Sequence, residues 1–250
     1  MNSHNDRARR LRELHGQPPL VLPNAWDAGS ARAIEAAGAA AIATTSAGVA
    51  WAYGVDDAGG LDRATAIDTI RAVCAAVSVP VTADIEAGYG DVARTVEEAI
   101  EAGAVGVNLE DSTGRVLDDP LVHAERIKAA RAVAVRAGLD LVINARTDTF
   151  LFGDRTGTVE RAKLYADAGA DVLFVPGVVD VPTISDLVKE SPLPLNVMVG
   201  PGAPSVDELA ELGVARVSVG PAITSTAYAL ATAAAKELLT SGTYESLTDR

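Results

Sequence analysis

Two carboxylates, Asp84 and Glu86, stand two residues apart at the end of an apolar run in VTADIEAGYGD (81–91). Val79 and Val81 are β-branched, so the run reads as a buried strand, and alternate strand residues share a face. Both acids therefore point the same way at the strand tip, just before a Gly-Tyr-Gly turn. The next strand pattern, GVNLED (106–111), ends in Asn108, Glu110 and Asp111, and LVINARTD (141–148) ends in Asn144, Arg146 and Asp148. An earlier one, AIATTSA (41–47), carries Thr44, Thr45 and Ser46 and leads to Asp56 and Asp57, and PLNVMVG (194–200) carries Asn196. Adjacent strands lie about 4.8 Å apart, so Glu110 can join Asp84 and Glu86. Three carboxylates so placed repel one another unless a cation intervenes, and oxygen-only donors favour a hard ion such as Mg²⁺. Arg146 offers a planar fork for a substrate carboxylate. Singly, each residue has a structural reading: Asp84 as a helix cap, Glu86 as the ion-pair partner of Arg146. Recurrence at three consecutive strand ends favours a site.

The elements that position these residues repeat regularly. LVLPNAW (20–26), VLFVPG (172–177) and RVSVG (216–220) complete a set of eight strand patterns, each followed by a helical one. Strands that read as continuous apolar runs suit a parallel sheet buried on both faces. Helix, glycine, strand recurs at Gly38, Gly103, Gly169 and Gly213, where glycine suits the left-handed residue that closes a helix. The expected fold is α/β, a single (β/α)₈ TIM-type barrel over 1–250, with a polar helical lead-in (1–18) and a loose tail (241–250). The strand ends above then form the mouth, where barrels of this class carry their chemistry. A doubly wound sheet is the second choice, weakened because no GxGxxG turn follows the first strand.

Of 250 residues, 48% are hydrophobic and only 4% aromatic, which suits a core of small side chains. The formal net charge of −13 argues against nucleic-acid and membrane-surface partners. Cys74 is the lone cysteine, so no intrachain disulfide forms. No apolar run is long enough to span a bilayer and the N-terminus lacks an apolar signal core, so a cytoplasmic location is expected. His123 reads as a surface residue, Cys74 as core, Asp118 and Asp119 before Pro120 as a helix cap, and Trp26 and Trp51 as mouth or packing residues. Gly220 before the last helix raises an unrelated phosphate-binding barrel as a minor alternative.

ADIEAGYG (83–90), NLED (108–111) and ARTDTF (145–150), with a weaker match in TTSAGVAWAYGVDD (44–57), make the chain resemble the isocitrate lyase and phosphoenolpyruvate mutase superfamily along nearly its whole length. The resemblance implies a Mg²⁺-dependent barrel, with Mn²⁺ as a substitute, acting on the enolate of a small 2-oxo acid, and a homo-oligomer, dimer or tetramer, often with exchanged terminal helices. It implies Asp84, Glu86 and Glu110 at the metal, Glu110 through water. It implies Arg146 on the substrate carboxylate, Ser46 with the backbone at Ala47 and Gly48 around the 2-oxo acid, and Asp57 beside the cluster; Thr45 and Asn196, at strand ends, are added as candidate substrate-binding residues. Asp57, Glu110 and Arg146 are the candidate catalytic residues.

The departures lie in the loop after the acid pair. EDSTGRVLDDP lacks the lyases' cysteine and histidine and the mutases' lysine and asparagine, and Val175, Pro176 and Gly177 replace a lyase Phe-Pro-Glu or mutase His. The expectation is therefore carbon–carbon cleavage, by decarboxylation or an aldol-type step, of a small 2-oxo or 2-hydroxy acid. Phosphonopyruvate rearrangement or hydrolysis is one alternative, and non-catalytic binding of a small acid is another. Arg115, Tyr53 and Tyr89 are further candidates near the mouth.

Overall fold

The computed structural model describes residues 3–152 and 155–247. Its parallel strands are β1 (Leu20–Leu22), β2 (Asn24–Ala25), β3 (Ile42–Thr44), β4 (Val81–Asp84), β5 (Gly106–Glu110), β8 (Val142–Arg146), β9 (Val172–Val175), β10 (Leu195–Met198) and β11 (Arg216–Ser218). A two-stranded hairpin, β6 (Ser112–Thr113) and β7 (Val116–Leu117), stands apart. The sheet order is β1-β11-β10-β9-β8-β5-β4-β3-β2. Only Pro23 separates β1 from β2, and Pro cannot donate to a ladder. They are two halves of one strand, β1 pairing with β11 and β2 with β3, so eight strands close into a barrel. Asn24 ties the closure: its Nδ2 donates to the Thr44 carbonyl at 2.9 Å, and its Oδ1 accepts from the Val219 and Gly220 amides at 3.0 Å each.

Helices alternate with the strands as the pattern predicts: α2 (Ala28–Ala36), α3 (Ser46–Ala52), α4 (Arg63–Ala76), α5 (Val92–Ala102), α6 (Pro120–Ala137), α7 (Thr158–Asp167), α8 (Val181–Glu190), α9 (Val206–Glu211) and α10 (Ala222–Ser241). Side-chain caps set their starts. Asp62, Asp91, Asp119 and Asp180 each accept from a backbone N–H of the first turn. Gly38, Gly103, Gly169 and Gly213 all have positive φ, 88–107°, as the recurring phrase requires. The strand after α2 ends at Thr44, earlier than expected, because Thr45 caps α3 with its side chain on the Gly48 amide.

The lead-in is more than polar. The helix α1 (His4–His15) buries Ala8, Leu11 and Leu14, and Leu11 approaches Gly106 of the barrel. Met1 and Asn2 lie outside the described residues, as do residues 248–250 of the expected tail. The rest of that tail is not loose. Glu237 of α10 accepts from Thr243 Oγ1 and from the amides of Glu245 and Ser246. Another correction concerns His123, which is fully buried rather than on the surface, edge-on to Tyr165 with ring centroids 4.7 Å apart. Its position on α6 faces α7 across the helix layer, which a helix start in sequence does not reveal. Cys74 is buried, as expected.

Candidate functional site

β4 and β5 deliver the carboxylates. Asp84 pairs in register with Asn108, and the Glu110 amide donates to the Glu86 carbonyl at 3.0 Å. The chain then turns sharply to hold Glu86 over the mouth. Glu86 and Tyr89 have φ of 48° and 49°, and Gly88 and Gly90 have 91° and 80°. Left-handed backbone is costly for non-glycine residues, and such strain collects at sites where side chains are aimed. A Cβ on Gly88 would meet Val92 Cγ2 at 2.3 Å, so the glycine is also required by space.

The Ser46 amide, at the start of α3, donates to Asp84 Oδ2 at 3.1 Å, and the Asp84 amide donates to Thr44 Oγ1 at 2.8 Å. Ser46, Ala47 and Gly48 are buried here. A Cβ on Gly48 would meet Thr224 Oγ1 at 2.5 Å and Thr45 Cγ2 at 2.7 Å, so only glycine fits this close approach. Trp26 packs on this same segment and lies 6.3 Å, edge-on, from Tyr228 of α10. Trp51 is 40% exposed.

Glu86 and Glu110 are each 8% exposed, and the mouth crowds negative charge. Burial first, and Asp84 next, push the Glu86 carboxyl up to about 7. Burial pushes Glu110 up to about 8, against the pull of Arg146 and with repulsion from Asp84, Asp148 and Glu86. Asp57 is raised by burial and by Asp84, while Ser46 bonds to it and lowers it. These mutual effects place Asp57, Asp84, Glu86 and Glu110 in one electrostatic cluster.

The arginine fork does not stand open. Arg146 Nε and Nη2 donate to Asp148 at 2.6 and 3.2 Å, and Nη1 pairs with Glu110 Oε2 at 3.0 Å. Glu110, not Glu86, is thus the acid that pairs with Arg146. Asp148 is held in turn: it accepts from Ser112 Oγ at 2.6 Å, and its amide donates to Asp111 Oδ1 at 2.9 Å. Asp111 Oδ2 receives Arg161 Nη1 at 2.9 Å and Tyr165 Oη at 2.7 Å. Arg161 and Tyr165 on α7 escaped the sequence reading. The signal available was an Arg and a Tyr four residues apart on the face of α7 that also carries Thr158 and Ala162.

Two cavities open on this mouth. One of ≈ 210 Å³ is lined by Asp57, Glu110, Arg115, Arg146 and Asp148, with Leu151 and Phe152 on its apolar side. A larger one of ≈ 940 Å³ runs outward past Glu86, Tyr89 and Glu110 to Val122 and Arg126. Asn196 lines neither. It is fully buried in the barrel interior, paired in register with Arg216.

Among the described residues, no three His, Cys, Asp or Glu side chains are grouped so as to hold a metal ion by themselves. Glu86 instead accepts from Tyr89 Oη at 3.1 Å, and Glu110 turns to Arg146. The donor chemistry still suits a hard dication. Every donor is oxygen, the carboxylates repel one another in a setting where burial already disfavours their charge, and Mg²⁺ needs only one or two protein carboxylates beside its waters.

The family model described as "Phosphoenolpyruvate phosphomutase" matches residues 11–239. Rv1998c of Mycobacterium tuberculosis (strain ATCC 25618 / H37Rv), a protein of uncharacterised activity, is 39% identical over 213 residues, covering 83% of this chain and 80% of that one. A 2-methylisocitrate lyase of Halalkalibacterium halodurans is 30% identical over 181 residues, covering 69% of this chain and 60% of its own length. Among crystal structures, a Burkholderia cenocepacia J2315 protein is 46% identical with a TM-score of 0.89, covering 93% of this chain and 99% of that one. Oxaloacetate acetylhydrolase in complex with the product oxalate is 26% identical with a TM-score of 0.89, covering 98% and 90%.

Proposed function

The chain belongs to the phosphoenolpyruvate phosphomutase family, within the superfamily that also holds the isocitrate lyases, and on that premise we propose that it is a carbon–carbon lyase. Its substrate is a small 2-oxo or 2-hydroxy acid, cleaved by decarboxylation or an aldol-type step through an enolate, and its cofactor is Mg²⁺. The observation that carries this reading is the cluster of half-buried Asp57 and Asp84 with buried Glu86 and Glu110, against which Arg146 is seated. The small cavity supports it as well, since ≈ 210 Å³ lies below the usual size of a drug-like pocket and suits a metabolite of a few carbons.

When the bond next to a carbonyl breaks, its electron pair moves into the carbonyl system and leaves negative charge on the enolate oxygen. Asp84, with Glu86 and Glu110 in support, would hold the dication. When bound, it supplies Lewis-acid stabilisation of that developing charge. Arg146 carries its positive charge to the same wall, and Asp148 fixes its plane so that no reorientation is needed as charge develops. The buried segment 46–48 packs beside Asp84, to which the Ser46 amide donates, and Leu151 and Phe152 line one side of the small cavity.

The test is calorimetric binding of oxalate, a mimic of the pyruvate enolate, with and without Mg²⁺, to wild type and Asp84→Ala. Tight binding that needs both the metal and Asp84 is expected. No binding by the folded wild-type protein sinks the enolate-site reading and leaves a non-catalytic barrel. The description of the matching family favours a second reading, carbon–phosphorus chemistry on phosphonopyruvate. Phosphorus NMR decides it: a new resonance after incubation supports it, and an unchanged spectrum excludes it.

The same reading places the enzyme in the cytoplasm as a homo-oligomer. No helix among the described residues is long and apolar enough to cross a membrane. α10 supports assembly, because Thr224 is its only buried residue while Leu230, Leu238 and Leu239 are 51%, 51% and 83% exposed. On the barrel wall, β1 leaves Val21 41% exposed beside an apolar groove of ≈ 590 Å³ lined by Leu14, Pro19, Leu20 and Ile34.

A further inference from the structure

An anionic substrate needs a cation to receive it, and two cations line the small mouth cavity, Arg146 and Arg115. Arg146 is committed, since all three of its nitrogens already meet Asp148 or Glu110. Arg115 makes no hydrogen bond or ion pair among the described residues. It sits at the tip of the β6–β7 hairpin, whose pairing of Thr113 with Val116 leaves Gly114 and Arg115 as a two-residue turn. Both turn residues have positive φ, 58° and 65°. Such turns favour Asn and Gly, and a long cationic side chain at the second position is a choice that turning alone does not explain. The hairpin hangs from β5 directly beyond Glu110, and Ser112 at its base bonds to Asp148. Arg115 is therefore anchored to the same network that orients Arg146, but on the outer side of the cavity.

We propose that Arg115 is the specificity-determining residue of this site. It captures the distal anionic group of a two-headed acid, while the carbonyl end lies among Asp57, Glu110 and Arg146. The inference rests on the lyase reading above and adds to it the residue that chooses between acids with one anionic end and acids with two. It also explains how a loop this short serves the mouth: a single charged side chain reaches over the cavity.

The experiment is titration calorimetry in Mg²⁺ with two probes, oxalate, which fills only the carbonyl end, and 3,3-difluorooxaloacetate, which adds a distal carboxylate. The proteins are wild type, Arg115→Asn, which keeps a residue tolerant of the left-handed turn, and Arg115→Lys. The expected result is a loss of about ten- to a hundred-fold in diacid affinity for Arg115→Asn, the size of one charge-assisted pair. Oxalate affinity should stay within about two-fold, and Arg115→Lys should recover part of the diacid affinity. Diacid affinity indifferent to Arg115, with oxalate still bound, overturns this inference alone. Equal losses for both probes also overturn it, since Arg115 would then act on the hairpin or the general field. Failure of wild type to bind oxalate overturns the lyase reading and this inference together.

Discussion

At the scale of single residues, the site is governed by carboxyl groups that hold their protons too long. Glu86 and Glu110 are pushed up to about 7 and about 8 in the folded chain, whereas an unfolded chain releases those protons near 4.5. The folded state thus binds more protons than the unfolded state between these limits. Their contribution to stability is complete below about 4.5 and is lost as pH rises through 7 to 8. The metal-free protein should lose several degrees of Tm between pH 5 and pH 8 in a thermal scan. Mg²⁺ should restore stability most at the upper end, because metal binding competes with protons for the same oxygens. A metal-free Tm that rises over this window would contradict the cluster. Asp148 acts differently. It is 1% exposed and carries two of the three Arg146 contacts, so Asp148→Ala leaves a largely buried guanidinium paired through Glu110 alone. A loss of about 3–5 kcal/mol in urea unfolding is expected, with oxalate binding weakened in parallel.

At the scale of elements, the Gly-Tyr-Gly turn separates two sources of cost. Gly88→Ala meets both a left-handed φ and Val92 at 2.3 Å, whereas Gly90→Ala meets the φ of 80° with no atom within 4 Å. Gly90→Ala should cost about 1 kcal/mol and Gly88→Ala clearly more, and only Gly88→Ala should displace Glu86 and weaken metal binding. Equal unfolding curves for the two would show that space at Gly88 does not matter. The repeated strand patterns and their closing glycines were legible because each depends on a local rule of period or φ. The carboxylate cluster was legible because strand ends announce the mouth. The partners behind it were not. Asp111 meets Arg161 and Tyr165 across 50 and 54 residues of chain, and no local pattern encodes that meeting. The closed state of the Arg146 fork was also hidden, since the spacing of Arg146 and Asp148 fits either a pair or two independent groups.

For the whole molecule, the unusual element is α10. Its alanine-rich sequence reads as one more barrel helix, yet it lies off the wall and leaves apolar surface on both itself and β1. The proposed assembly would cover exposed apolar surface of this kind. The double variant Leu238→Glu, Leu239→Glu should lower the assembly state in light scattering while leaving the barrel's helical signal intact, because neither residue is buried in the single chain. A wild-type mass equal to one chain would remove the oligomer from the proposal.

The seam at Asn24 bears on how the chain is made. Synthesis delivers residues 20–25 first among the strands and 216–220 last, and Asn24 holds the two together across 195 and 196 positions. Until the final strand leaves the ribosome, β1 is a bare edge with its amides and carbonyls unpaired, open to whatever strand comes near. Contacts so distant in sequence are slow to form, and the waiting edge is the exposure. A nascent chain of this protein thus cannot close its barrel until residues 216–220 have been made.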